Sequence, residues 1–288
     1  MTLVVTTIAI ICGALSALLA SGEVAIRLLG FAQFPLYQHD SIAGYRMKPE
    51  QRGRFRRRNN WRYDNQGMRR GGAVPSLRGS TILLGDSIVD GGTGLDQVET
   101  IAARLEHLSN SVVYPIAAPG WSLGNELAAL EHLSDWHSAA RLVLVLNLED
   151  FDYVASPSIE YGFPTRYRWL LLPWLIRRYY FLRRPVPGES TAGEFPVNPA
   201  LRAQNLAHLA RVAQQFAGPI IILRYPRQDD AAAYDPYFDQ LALTAGHPLL
   251  NLANAPGWNA DCYRDIIHPN ACGTAIIAAF LHQELAQK

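Results

Sequence analysis

Thr81-Ile82-Leu83-Leu84-Gly85-Asp86-Ser87 is the stretch on which the reading of this chain turns. Four residues without a polar break, closed by a glycine, mark a short strand buried on both faces. A strand with one wet face would alternate instead. Residues 112–116, 142–148, 219–225 and 248–253, each predominantly apolar, read as further strands. Helical periodicity lies between them. Residues 100–108 place Ile101, Leu105 and Leu108 on one stripe, and residues 122–136, capped by Ser122, do the same with Leu123, Leu127, Leu130 and Leu133. Residues 198–216 open on Asn198-Pro199, and residues 271–285 follow a capping Asn270. Doubly buried strands alternating with helices predict an α/β fold. The expected form is a three-layer α/β/α sandwich with a five-stranded parallel, flavodoxin-like sheet over residues 80–288. Ligands of such sheets bind beyond the carboxyl ends of the strands. Chemistry is therefore expected just after Leu84, Ile116 and Leu148, and ahead of the last helix.

Upstream, residues 1–22 carry no charged side chain, which is enough apolar length to cross a bilayer as a helix. A cleaved signal peptide fits less well, because its leading Lys or Arg is missing and the only small-residue exit, Ala20-Ser21-Gly22, comes late. Ile10 and Ile11 ahead of Cys12 argue against a lipoprotein box. The segment is expected to be a single-pass anchor in a bacterial inner membrane. Counting Lys and Arg alone would leave the body in the cytoplasm, because the basic run from Arg46 to Arg70 follows the anchor. That run starts some way from the helix, and the periplasmic side is expected. A net charge of +1 and 18% charged residues supply no global field for nucleic acid, and 49% hydrophobic content speaks against disorder.

Two segments fall outside the strand–helix rhythm. Residues 23–79 show neither period and gather Arg52, Arg54, Arg56, Arg57 and Arg58. They read as an irregular basic segment wrapping the domain, or as a contact for anionic lipid headgroups or an acidic glycan. Residues 151–198 interleave Tyr161, Phe163, Tyr167, Trp169, Trp174, Tyr179, Tyr180 and Phe181 with Arg166, Arg168, Arg177, Arg178, Arg183 and Arg184. This insertion suits a membrane interface or a cap over the site, and residues 185–196 read as a loop.

A serine hydroxyl needs an adjacent base to act as a nucleophile. Asp265-Ile266-Ile267-His268-Pro269-Asn270, just before the last helix, supplies a histidine that an aspartate three residues earlier can orient. Each piece alone is weak. Leu83-Leu84-Gly85-Asp86-Ser87, Ala118-Pro119-Gly120 and Asp265-x-x-His268-Pro269-Asn270, in this order, resemble the block pattern of the SGNH (GDSL-type) hydrolases over about residues 80–287. That resemblance implies a serine hydrolase acting on ester bonds. Ser87 would be the nucleophile, His268 the general base and Asp265 its orienting carboxylate, while Asp86 would be structural. The Ser87 and Gly120 N–H groups would serve as oxyanion donors. No metal or organic cofactor is implied.

The third block departs from the family, which ends that strand Gly-x-Asn-Asp. Here the strand ends Asn147-Leu148-Glu149-Asp150, with Glu149 at the Asn position. Either Asn147 reaches the oxyanion from two residues earlier, or only backbone donors serve, or Glu149 is held protonated, or hydrolysis is lost. Asn147 is the favoured donor. Cys262 and Cys272 bracket the Asp-x-x-His turn and fit either a disulfide or two free thiols; zinc bound with His268 matches no common spacing. The expected substrates are O-acyl groups, acetyl above all, of envelope or secreted polysaccharide. The alternatives are a lysophospholipase or thioesterase at the membrane surface, or a non-catalytic glycan-binding or assembly partner.

Overall fold

The computed structural model describes residues 2–73, 76–155, 162–182, 196–229 and 234–286, the side chains of residues 179, 181 and 182 excepted. The chain opens with α1 (Thr2–Leu28), then two antiparallel hairpins, β1 (Tyr37–Asp40) with β2 (Gly44–Met47) and β3 (Arg52–Phe55) with β4 (Asn59–Arg62). After them come β5 (Thr81–Gly85), α2 (Ser87–Asp90), α3 (Ile101–Ser109), β6 (Val113–Ala117), α4 (Leu123–Glu131) and β7 (Arg141–Leu146). The last part holds α5 (Leu171–Leu182), α6 (Pro199–Gln215), β8 (Ile220–Arg224), α7 (Tyr237–Ala245), β9 (Leu250–Asn251) and α8 (Ala271–Ala286).

Strands β5 to β9 form one parallel sheet in the order β6-β5-β7-β8-β9, the expected flavodoxin-like winding. Its two faces fill separate cores. Ile82, Leu84, Leu142, Leu144 and Leu146 point to the α4, α6 and α7 layer, whereas Leu83, Val143 and Val145 point to α3 and α8. Each fully buried side chain of this kind contributes about 1.5–3 kcal/mol. Strand β5 sits between β6 and β7, so the strand order reverses there and a crevice opens at its carboxyl end. Ser87 lies in that crevice.

Segment 23–79 is not irregular as expected. Its hairpins turn Tyr45, Met47, Trp61 and Tyr63 into the core beside Tyr114, and Asp64 accepts the Tyr114 hydroxyl at 2.9 Å. Strands of four residues offer two inward positions each, too few for a period to show in sequence. Helix α7 was also not anticipated. Its signals are short-range: Pro236 at the start, Tyr237, Phe238, Leu241 and Ala242 buried at helical spacing, and Gly246 left-handed at φ 76° at the end.

Helix α1 is long and apolar enough to cross a membrane, and it runs six residues past the expected end at Gly22. Its last turns pack on α5. Gly22 lies so close that a β-carbon there would sit 2.8 Å from a Leu172 methyl. Gly30, at φ 80°, then turns the chain beside the β3–β4 loop, where the Arg56 N–H donates to the Gly30 carbonyl at 3.1 Å.

Candidate active site

Asp86 ends β5 and caps α2, its Oδ1 accepting the Ile88 N–H at 2.7 Å. This sharp exit requires Gly85, where a β-carbon would meet a Val89 methyl at 2.4 Å. Ser87 is thereby presented at the mouth of the sheet. Its Oγ lies 2.9 Å from His268 Nε2, although 181 residues separate the two. His268 Nδ1 lies 2.9 and 3.0 Å from the two oxygens of Asp265. Asp265 Oδ1 also accepts the His268 and Ile267 main-chain N–H groups at 2.8 and 3.1 Å. With Nδ1 facing the carboxylate, the proton belongs on Nδ1, leaving Nε2 to accept from the serine. Burial pushes the Asp265 carboxyl up, but the hydrogen bonds and charge of His268 outweigh it and hold the group well below the usual carboxylate range.

The turn carrying this pair is pinned on several sides. The Tyr225 hydroxyl donates to the Ile267 carbonyl at 2.6 Å, and the Arg264 N–H to the His268 carbonyl at 2.9 Å. Asn270 Oδ1 accepts the Gly273 N–H at 3.0 Å at the start of α8. Asp265 and His268 thus lie in a loop whose geometry is set by β8 and α8.

Gly120 occupies the turn after β6 at φ 80°, and a β-carbon there would sit 2.8 Å from the Tyr45 hydroxyl. That hydroxyl donates to the Pro119 carbonyl at 2.8 Å, so β2 holds the Gly120 turn from outside the sheet. Asn147, at the end of β7, is buried. Its Oδ1 accepts the Glu149 N–H at 2.8 Å, while its Nδ2 has no hydrogen-bond partner among the described residues. Glu149 is ion-paired with Arg227, a guanidinium it shares with Asp229, whose two oxygens accept from it at 3.0 Å. Asp86 stays beside Ser87, its Oδ2 3.4 Å from Ser87 Oγ, and burial raises its pKa against the Ile88 N–H and the charge of His268.

The disulfide does not form. Cys262 is buried with Sγ directed at the Gly257 carbonyl, and Cys272 is exposed on α8, both as free thiols. The support a disulfide would lend to an oxidising compartment goes with it. Of the aromatic and arginine residues of the insertion, Tyr161, Arg183, Arg184 and most of the 185–196 loop lie outside the described residues. Trp169 and Tyr167 are exposed, while Trp174 and Phe163 pack inward.

Three features of the site had no pattern in the sequence. Arg69 is fully buried and donates to the Leu95 carbonyl at 3.1 Å and to the Gly92 carbonyl, clamping the loop that follows Ser87 and α2. Asp90 faces it and accepts the Tyr63 hydroxyl at 2.9 Å; burial raises the Asp90 pKa against the Arg69 charge. Arg264 reaches across from the Asp265 turn to donate to the Gly91 carbonyl at 3.1 Å. A lone Arg or Asp in sequence does not announce such a contact.

Ser87 and His268 open onto a cavity of about 280 Å³. Its apolar walls are Phe31, Phe34, Phe55, Trp174 and Leu175, and Arg178 and Arg264 also line it. Neither Gly120 nor Asn147 is among the described residues that line it.

Fold and site together define a doubly wound α/β sandwich with a Ser–His–Asp constellation at the switch point of its sheet. No protein-family model matches the chain. No curated protein matches it either. It is similar to several solved structures. One is a carbohydrate esterase family 2 enzyme with a carbohydrate-binding domain from Corynascus thermopiles (Myceliophthora fergusii): 14% identity, TM-score 0.46, 75% of this chain and 68% of that one. Another is the psychrotrophic esterase EstA from Pseudoalteromonas sp.: 14% identity, TM-score 0.43, 73% and 97%. A third is a member of the lipolytic protein G-D-S-L family from Veillonella parvula DSM 2008: 13% identity, TM-score 0.40, 73% and 99%. At these identities and scores, the activities of those proteins do not transfer to this chain.

Proposed function

We propose that the chain is a membrane-anchored serine ester hydrolase of SGNH type that works through an acyl-enzyme. The observation that carries this reading is the unbroken run from Ser87 Oγ through His268 to Asp265, with contacts of 2.9 Å on each side of the imidazole. Ser87 Oγ attacks the ester carbonyl as its proton passes to His268 Nε2. Asp265 keeps the Nδ1–H tautomer and stabilises the imidazolium. Collapse of the tetrahedral intermediate breaks the bond to the alkoxy oxygen, which leaves as the alcohol with the proton from His268. Water then attacks the acyl-serine, gives its proton to His268, and the acid departs as Ser87 is restored. The Ser87 and Gly120 N–H groups and the open Nδ2 of Asn147 are the donors assigned to the oxyanion. Pairing of Glu149 with Arg227 supports this assignment, because even shared with Asp229 the guanidinium weakens the repulsion that a free carboxylate at that position would exert.

The acetylated-polysaccharide substrate and the periplasmic side rest on family resemblance. The apolar cavity at Ser87 favours the second reading, an ester at the membrane surface. The deciding experiment is labelling of the full chain in detergent with a fluorophosphonate probe. Wild type should label, and Ser87→Ala and His268→Ala should not. A folded wild type that resists the probe would leave the binding-partner reading in its place.

A further inference from the structure

The anchor helix does more than tether the domain. Directly after α1, residues 31–35 supply Phe31 and Phe34 to the wall of the cavity that holds Ser87 and His268. The facing wall is α5, through Trp174 and Leu175, and β3 closes the side with Phe55. These walls brace one another. Phe34 stacks on Trp174 with centroids 5.0 Å apart and an 18° interplanar angle, and Phe31 meets Phe55 edge-on at 5.7 Å. Phe34, Leu36, Leu171 and Trp174 form a small core of their own, with Ile26 of α1 packed against it.

Helix α5 is held in place by α1. Both oxygens of Glu23 accept the Leu171 N–H, at 3.0 and 2.8 Å, and Glu23 Oε2 also accepts the Leu172 N–H at 2.7 Å. These are first-turn donors of α5 that its own helix leaves unpaired, and a carboxylate also suits the positive end of the helix dipole. Arg27, paired with Glu23 at 2.6 Å, donates to the Trp169 carbonyl at 2.7 Å. Around this joint the surface turns apolar, with Trp169, Leu170, Val24, Leu28 and Leu29 exposed. A tryptophan and leucines at the end of a membrane helix suit the bilayer boundary. The cavity wall therefore begins, at Phe31, within a few residues of that boundary.

Building on the ester-hydrolase reading, we infer that this cavity is an acyl-chain subsite for substrates longer than acetyl, and that Glu23 of the anchor is its positioning residue. The chain lies against Phe31, Phe34, Phe55, Trp174 and Leu175 with its carbonyl at Ser87. An acetyl group would leave these walls unfilled, whereas each further methylene buried there adds to binding. Glu23 acts through α5. Without its carboxylate, the first turn of that helix loses its partners and the wall loosens.

The test measures kcat/KM of the full-length protein in detergent on p-nitrophenyl octanoate and acetate, and reads their ratio. Wild type should favour octanoate by about tenfold or more. Leu175→Trp, which fills the cavity, should lower the ratio about tenfold. Glu23→Ala should lower it about three- to tenfold through KM for octanoate, and Glu23→Gln, which keeps an acceptor, should restore part of the loss. A general loss of fold would scale both esters together and leave the ratio where it was. A wild type that prefers acetate, or a ratio unmoved by Leu175→Trp and Glu23→Ala in protein that still labels at Ser87, would overturn the inference. Absence of both labelling and turnover on every ester would instead overturn the hydrolase reading beneath it.

Discussion

Around Ser87, the mouth of the sheet has two unlike sides. On the α8 side, both oxygens of Asp265, both ring nitrogens of His268 and the amide of Asn270 are engaged at ordinary hydrogen-bond distances. On the β7 and α4 side, polar atoms are buried without partners among the described residues: Nδ2 of Asn147, Oδ1 of Asp150 and both carboxyl oxygens of Glu126. Burial drives the pKa of Glu126 and of Asp150 well up, and the nearby Asp86 carboxylate adds to it. An unsatisfied buried polar group costs about 1–3 kcal/mol. One side is thus hydrogen-bonded throughout, while among the described residues the other leaves the Asn147 amide N–H unpaired, as the oxyanion proposal requires. A site that must bind a charge present only during reaction is expected to be built this way.

The contrast can be broken most sharply from the complete side. Ser87→Ala and His268→Ala should each lower kcat on a short ester by about 10⁶-fold, and Asp265→Asn by about 10⁴-fold, because the imidazole loses its tautomer. Stopped assays with purified variants read all three; a residual rate within tenfold of wild type would mean that the geometry is not catalytic. On the open side, Asn147→Ala should lower kcat about 100- to 1,000-fold, the usual loss of one oxyanion donor. An unchanged rate would reduce Asn147 to the cap of its turn.

Smaller effects separate the two sides by stability. The folded pKa of Glu126 is raised, so its contribution is full below the ordinary carboxylate pKa and is lost as pH rises through the folded one. Glu126→Gln, which cannot ionise, should remove this pH dependence, so that its stability relative to wild type grows as pH rises, as thermal melts across pH would show. Asp265 runs the other way. Its folded pKa is depressed, so its contribution is present above the ordinary carboxylate range and is lost as pH falls toward the folded value. Its side chain is nearly half exposed, so solvent screening keeps this the smallest effect. It would appear as a melting advantage of wild type over Asp265→Asn that shrinks in acid.

The sequence alone determined whatever is written in contiguous residues. Apolar runs such as Thr81–Gly85 and Arg141–Leu146 are buried on both faces and so read as strands without help from the rest of the chain. The Asp265–His268 pair is local because three residues of one turn bring the carboxylate to the ring. Tertiary structure decided what depends on distant segments meeting. It brought Ser87 to His268 across 181 residues, and it turned Glu149 to Arg227 and left Nδ2 of Asn147 open. It also directed Cys262 inward and Cys272 outward. The same holds for the clamp of Arg69 on the loop after Ser87 and the capping of α5 by Glu23. A charged side chain in sequence carries no address. Its partner is set only when burial removes water and makes an unpaired charge costly, and that happens after the sheet and its helices have packed.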